Sequence, residues 1–152
     1  FQGYWRNEQA TRETLDEEGW FHTGDIGLLD EDRFLYVVDR QKDMIKSGGE
    51  NIGSLEIERV VGAIDGVESA AAVAAPDEKW GEVPAVFVEA LPGSSVDAEL
   101  VRERCRSNLA KFKVPKYVHI VDSVPRTPSG KARKGELRKL AAELAGRPEV
   151  QA

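Results

Sequence analysis

Three short stretches hold the residues able to do chemistry, and all three read as turns. Thr23-Gly24-Asp25 sets a hydroxyl, a flexible glycine and a carboxylate just ahead of an apolar run. A carboxylate so placed can accept both hydroxyls of a ribose, as acidic residues do in dinucleotide folds, although Gly-Asp is also an ordinary turn. Residues 39–51, DRQKDMIKSGGEN, crowd Asp39, Arg40, Lys42, Asp43, Lys46 and Glu50 around only Met44 and Ile45, then break at Gly48 and Gly49. Charge that dense is poor core material. The stretch reads as a junction between two structural units, one that touches a ligand and moves. Lys131 closes Thr127-Pro128-Ser129-Gly130-Lys131, a loop without an apolar side chain after Val124. A lysine there is a surface charge by default. Its functional reading is a mobile cation that neutralises charge developing on a phosphate or carboxylate.

Other chemistries fall away. There is no His pair at ligand spacing, no Cys cluster, no nucleophile elbow and no Gly-x-x-x-x-Gly-Lys phosphate loop. His22 and His119 stand far apart and are expected to be surface or hydrogen-bonded residues. The single cysteine, Cys105, excludes an intrachain disulfide, reads as a small buried hydrophobe on a helix, and suits a reducing cytoplasm.

The elements that must position these turns follow from hydrophobic spacing. Residues 1–24 read as irregular or edge structure with Tyr4, Trp5, Trp20 and Phe21 as apolar anchors. Residues 26–29 and 34–38 form a β-hairpin that delivers the chain to the junction. Met44 and Ile45 with Asn51 and Ile52 make a smaller hairpin around Gly48 and Gly49, where positive φ is cheap. Ser54 is expected to cap a helix whose Ile57, Val60, Val61 and Ile64 follow helical spacing. Val67–Ala75 and Val83–Leu91 are the clearest strands. A helix over Asp97–Leu109 should bury Leu100, Val101, Cys105 and Leu109, a strand covers Tyr117–Val121, and a basic helix starts near Arg133. The result is an α+β fold, helices on a small mixed or antiparallel sheet of about three strands, preceded by a hairpin.

The charge pattern adds a constraint. The net charge is −6, yet residues 102–139 hold twelve Lys or Arg against three acids, a local balance of +9 that leaves −15 elsewhere. The basic block wants an anion, and the acidic remainder argues against a dedicated nucleic-acid binder. No apolar run approaches the roughly 20 residues of a membrane span. A chain opening at Phe1 inside an ongoing segment reads as a piece of a longer protein.

Taken together and in order, GWFHTGD, DRQKDMIKSGGEN, WGE, LAKFKVPK and TPSGK closely resemble the C-terminal end of the adenylate-forming superfamily, which comprises acyl- and aryl-CoA synthetases, peptide-synthetase adenylation domains and luciferases. The resemblance spans about residues 3–140, and the Gly-Gly-Glu-Asn version is most similar to the CoA synthetases. It implies a two-step reaction. A carboxylic acid attacks the α-phosphate of ATP to give an acyl-adenylate and pyrophosphate, and the thiol of coenzyme A then displaces AMP.

By matching position, the resemblance implies that Asp25 holds the ribose hydroxyls and Arg40 contacts ribose or phosphate. Lys131 becomes the first-step catalytic lysine and Lys42 the hinge about which a small domain rotates between steps. The Gly48-Gly49-Glu50 hairpin serves the thioester step, with Gly49 lining a pantetheine tunnel. Trp80 and Phe112 match aromatics that pack around the CoA nucleotide in some aryl-CoA ligases, although as sheet-edge anchors they would look the same. Lys111, Lys113 and Lys116 would meet the CoA phosphates. Val114 stands where some of those ligases carry arginine, and Ile52-Gly53-Ser54 also departs from the commoner pattern. The implied organisation is a β-rich tail of a large domain, with a remnant of its β-barrel, and hinge over 1–41, and the C-terminal lid over 42–152. ATP, Mg2+ and coenzyme A sites would be completed by the protein's own N-terminal domain, with no metal site in this stretch. The isolated chain is expected to be inactive, with Trp5, Trp20 and Phe21 left bare enough for weak self-association. Two alternatives stay open, the lid of a carrier-protein-loading ligase and a noncatalytic module that binds phosphopantetheine or another partner.

Overall fold

The computed structural model describes residues 1–145, which divide into two compact units, one of residues Phe1–Lys42 and one beginning at Asp43. The first holds helix α1 (Glu8–Thr14) and the antiparallel strands β1 (Asp25–Leu29) and β2 (Leu35–Arg40). Helix α1 arises where irregular structure is expected. Asn7 caps it by accepting from the Ala10 N–H at 3.0 Å, but no residue of it is buried, so the apolar spacing that betrays a helix is missing. The β1–β2 hairpin is bare: Leu28, Leu29, Phe34, Leu35, Tyr36 and Val37 are all exposed. Trp5, at 86% exposure, and Trp20, at 70%, are also uncovered.

The second unit is built on a five-stranded mixed sheet made of β3 (Ile45–Ser47), β4 (Glu50–Ile52), β5 (Val67–Asp77), β6 (Gly81–Ala90) and β7 (Tyr117–Val121). Strands β5 and β6 pair antiparallel from Val67↔Ala90 to Asp77↔Gly81, and β7 runs parallel to β6 from Ala85↔Tyr117 to Glu89↔Val121. The small β3–β4 hairpin joins through one pair, Ser47↔Gly81, which is why the sheet counts five strands in place of about three. The α+β class expected from the sequence stands.

Helices cover both faces. Ile57 and Val61 of α2 (Ser54–Gly62) and Val101 and Cys105 of α3 (Ala98–Asn108) pack with Ala72, Val86, Val88 and Val118. Leu137 and Ala141 of α4 (Lys134–Leu144) pack with Ala71, Val73 and Phe87. Successive residues of β5 and β6 thus enter opposite cores, and a strand buried on both sides reads as a continuous apolar run rather than an alternating one. Burial of Cys105 pushes its thiol up to about 11, which leaves it inert as a nucleophile.

Three expectations need correction. Ser54 does not cap α2: Gly53 holds that position without a side-chain bond, while Ser54 is buried and its hydroxyl accepts from Lys134 Nζ at 2.6 Å. Leu100 is exposed, because the Asp97 cap, which accepts from the Leu100 N–H, phases α3 so that Val101 and Cys105 point inward. His119 is neither on the surface nor fully hydrogen-bonded. It is buried with its ring 5.0 Å from that of Phe87, and its Nδ1 has no partner.

Burial lowers the His119 pKa, with Arg102 adding repulsion. The unfolded chain therefore binds a proton near pH 6.5 that the folded chain still refuses, so stability is lost as pH falls below that value. Urea midpoints measured at pH 7.5 and 5 should drop for the wild type, and His119→Phe should reduce the drop. An equal drop in both would assign the acid sensitivity to other groups.

Candidate functional site

The candidate side chains named from the sequence fall into three clusters. In the first unit, register pairs Asp25 at the start of β1 with Arg40 at the end of β2, and Arg40 Nε donates to Asp25 Oδ1 at 2.9 Å. The same guanidinium reaches the Thr23 carbonyl at 3.3 Å, and the Gln41 N–H donates to the Gly24 carbonyl at 2.7 Å. The carboxylate and the cation proposed for one nucleotide are thus neighbours on one sheet edge, both partly open to solvent. Lys42 follows in a single 3-10 turn, Gln41–Asp43, and the two units part immediately after it.

The second cluster lines a cavity of about 570 Å³. Gly48, Glu50, Trp80 and Phe112, scattered over the sequence, meet there with Lys111 and Lys116. The glycine turn is fitted to the tryptophan. The Gly48 N–H donates to the Trp80 carbonyl at 3.0 Å, Gly48 sits at φ +57°, and a Cβ on it would lie 2.6 Å from Trp80 Cε3. Gly49, at φ +90°, has open space where its Cβ would be. Trp80 and Phe112 are about half exposed. Lys79 lies 4.6 Å over the Trp80 ring, and Lys113, beside Phe112, is held by both oxygens of Glu56 at 2.7 and 2.9 Å.

Lys116 donates to Asp77 Oδ2; that bond, followed by the backbone N–H groups of Trp80 and Lys79, holds the Asp77 carboxyl below its usual range, and the same bond, with Tyr117 adding to it, holds the Lys116 ammonium above its own. Asp77 was not singled out from the sequence. The signal was present in Asp77-Glu78-Lys79-Trp80, the spacing at which an Asp side chain accepts from backbone N–H groups of its own turn.

The third cluster is the loop over residues 126–132, pinned by an Arg126↔Ala132 bridge. The Thr127 N–H donates to the Lys131 carbonyl at 2.8 Å, the Lys131 N–H to Thr127 Oγ1 at 3.2 Å, and Arg126 Nη1 to the Gly130 carbonyl at 2.9 Å. The loop is therefore shaped while the Lys131 ammonium stays exposed, with no hydrogen bond or ion pair among the described residues. It follows the C-terminal end of β7, where the Val124 N–H is tied to Glu89. The Trp80 cavity lies at the opposite end, ahead of Tyr117. About 16 Å of strand separates these two anchoring points.

Among the described residues no three His, Cys, Asp or Glu side chains converge as a metal site. They offer Mg2+ no protein cage. Among the same residues no helix is long and apolar enough to cross a membrane.

Residues 56–131 match the model of the AMP-binding enzyme C-terminal domain. The chain is 47% identical over 137 residues to a 2-succinylbenzoate–CoA ligase of Listeria innocua, covering 90% of this chain and 29% of that protein. It is 46% identical over 136 residues to the long-chain-fatty-acid–CoA ligase FadD13 of Mycobacterium tuberculosis, covering 90% and 27% respectively. The structure superposes on o-succinylbenzoate CoA synthetase of Bacillus subtilis in complex with its acyl-adenylate intermediate, with a TM-score of 0.82, 37% identity, and coverage of 90% of this chain and 28% of that one. The chain thus spans under a third of the length of these relatives. With the family model, the relatives and the superposition in agreement, it belongs to the AMP-binding enzyme C-terminal domain family.

Proposed function

We propose that this chain is the C-terminal portion of an AMP-forming acyl- or aryl-CoA synthetase, with the unit that begins at Asp43 as its mobile lid. The observation that carries the reading is the pair of sites anchored at opposite ends of β6 and β7. One is a free lysine on a shaped loop, the other a cavity of glycine, aromatic and lysine character. Each suits a different half-reaction. In the first, a carboxylate must approach the α-phosphate of ATP, and two anions can meet only where a cation offsets their repulsion; Lys131 supplies it. Asp25 and Arg40 hold the nucleotide's ribose and phosphate.

In the second step the lid turns about Lys42 and presents the Gly48-Gly49-Glu50 hairpin. Gly49 leaves room for the thin pantetheine arm, Trp80 and Phe112 take the nucleotide end of coenzyme A, and Lys111 and Lys116 face its phosphates. Residues 1–41 are then the tail of the large domain and the hinge. Their bare aromatics are covered by the protein's own N-terminal domain, which also completes the ATP, Mg2+ and acid sites. Alone, the chain is inactive and weakly self-associating, and the location that suits the enzyme is the cytoplasm.

The experiment is pyrophosphate release by the full-length protein across carboxylic acids, including 2-succinylbenzoate and long-chain fatty acids, with and without coenzyme A. Release that turns over only with coenzyme A supports the reading and names the acid. Silence with every acid would sink it, and turnover with a carrier protein in place of coenzyme A would move the lid to a carrier-loading ligase.

A further inference from the structure

Asp77 makes a set of contacts that the two-step chemistry leaves unexplained. Its side chain is only 5% exposed although it stands at the end of β5 beside an open cavity. Oδ1 accepts from the backbone N–H groups of Lys79 and Trp80, both at 2.9 Å, and Oδ2 accepts from Lys116 Nζ. The Lys79–Trp80 segment leads into Gly81, where β6 begins, and the Trp80 carbonyl receives the Gly48 N–H. Lys116, for its part, has its backbone N–H tied to the Pro84 carbonyl at 2.9 Å just ahead of β7, and its aliphatic stem leads the ammonium across to Asp77. One carboxylate therefore sets both an aromatic wall of the cavity and one of its two cations.

We infer that Asp77 is a positioning residue for coenzyme A, fixing the Trp80 turn and the Lys116 ammonium at the spacing that the nucleotide end of the ligand needs. The inference rests on reading the cavity as the coenzyme A nucleotide site. Asp77 itself need not touch the ligand. A carboxylate facing a phosphate would repel it, and here the negative charge is taken up by Lys116 and two N–H dipoles. Holding the lysine and the ring before binding removes the entropic cost of ordering them afterwards. The expected effect falls on the affinity for coenzyme A and spares adenylate formation, which uses the other end of the unit.

The test uses the full-length ligase and reads the KM for coenzyme A alongside first-step pyrophosphate release. Asp77→Ala, which removes all three bonds, should raise the KM for coenzyme A at least tenfold with pyrophosphate release within about twofold of wild type. Asp77→Asn keeps an acceptor for the two backbone N–H groups and loses the lysine tether, so its KM should rise by a smaller factor, about threefold. In a Trp80→Ala, Lys116→Met background, adding Asp77→Ala should change nothing further, since everything Asp77 positions is already gone. An unchanged KM in Asp77→Ala, a further rise in that background, or a parallel loss of both half-reactions overturns the inference. Trp80→Ala alone separates the two levels of the argument. If it leaves the KM for coenzyme A untouched, the nucleotide-site reading fails. If it raises the KM while Asp77→Ala does not, only the positioning role fails.

Discussion

Replacing Lys131 with alanine in the full-length protein should slow first-step pyrophosphate release by about 10²- to 10³-fold, the usual cost of removing one group that stabilises transition-state charge. Conversion of supplied acyl-adenylate to thioester should change far less. The attacking carboxylate and the α-phosphate are both anionic, and charge crowds further on the phosphate as the bond forms. The ammonium makes no hydrogen bond or ion pair among the described residues, so alanine there breaks no tertiary contact that holds the unit together. A thermal melt of the variant should match wild type, which separates lost chemistry from lost fold. Near-normal adenylate formation with failed thioester formation would show that the assignment of Lys131 is wrong and that this loop serves the second step.

Gly49→Leu is expected to do the reverse, abolishing thioester formation by at least about 10²-fold while pyrophosphate release continues. The two glycines of this turn differ in a way that makes the test clean. Gly48 is closed over by Trp80, so any side chain there would displace the ring and damage the cavity wall itself. A Cβ on Gly49 meets nothing within 4 Å, so a side chain can leave the backbone there without displacing the unit's own atoms. The remaining cost is backbone strain at φ +90°, about 1–3 kcal/mol for a residue with a Cβ. Gly49→Ala carries the same strain without the bulk, so the difference between the two variants measures obstruction alone. Equal loss in alanine and leucine would assign the glycine to backbone conformation, and normal thioester formation in Gly49→Leu would remove the tunnel.

The reach of the sequence was uneven for physical reasons. The long strands β5 and β6, helix α3 and β7 were legible because burial writes a period or a continuous apolar run into the chain. Helix α1 was not, because it buries nothing. Ser54 carried the composition of a cap yet serves as a buried acceptor for Lys134, eighty positions on, a partner that no local pattern reveals. Within the site, Gly48, Glu50, Trp80 and Phe112 could be named from their motifs, and the structure draws them around one cavity. The motifs did not show what holds that cavity in shape. Asp77 and Glu56 also hold Lys116 and Lys113, lysines distant in sequence, and such links exist only once the sheet has formed.

The hairpin that carries Gly48 and Gly49 pairs with the sheet at Ser47↔Gly81, beside the Gly48 N–H on the Trp80 carbonyl and the Lys46 N–H on Glu82, while its base is locked by Ile45 and Ile52, both fully buried. Its tip can therefore open without unzipping β5 from β6, whose ladder runs the whole length of both strands. Backbone amides at the tip should exchange with solvent deuterium through local opening, long before those at the centre of β6 exchange by global unfolding. The segment assigned to grip a mobile acyl acceptor can thus loosen while the rest of the unit holds. A ligand that fills the cavity would be read first as slowed exchange at that tip.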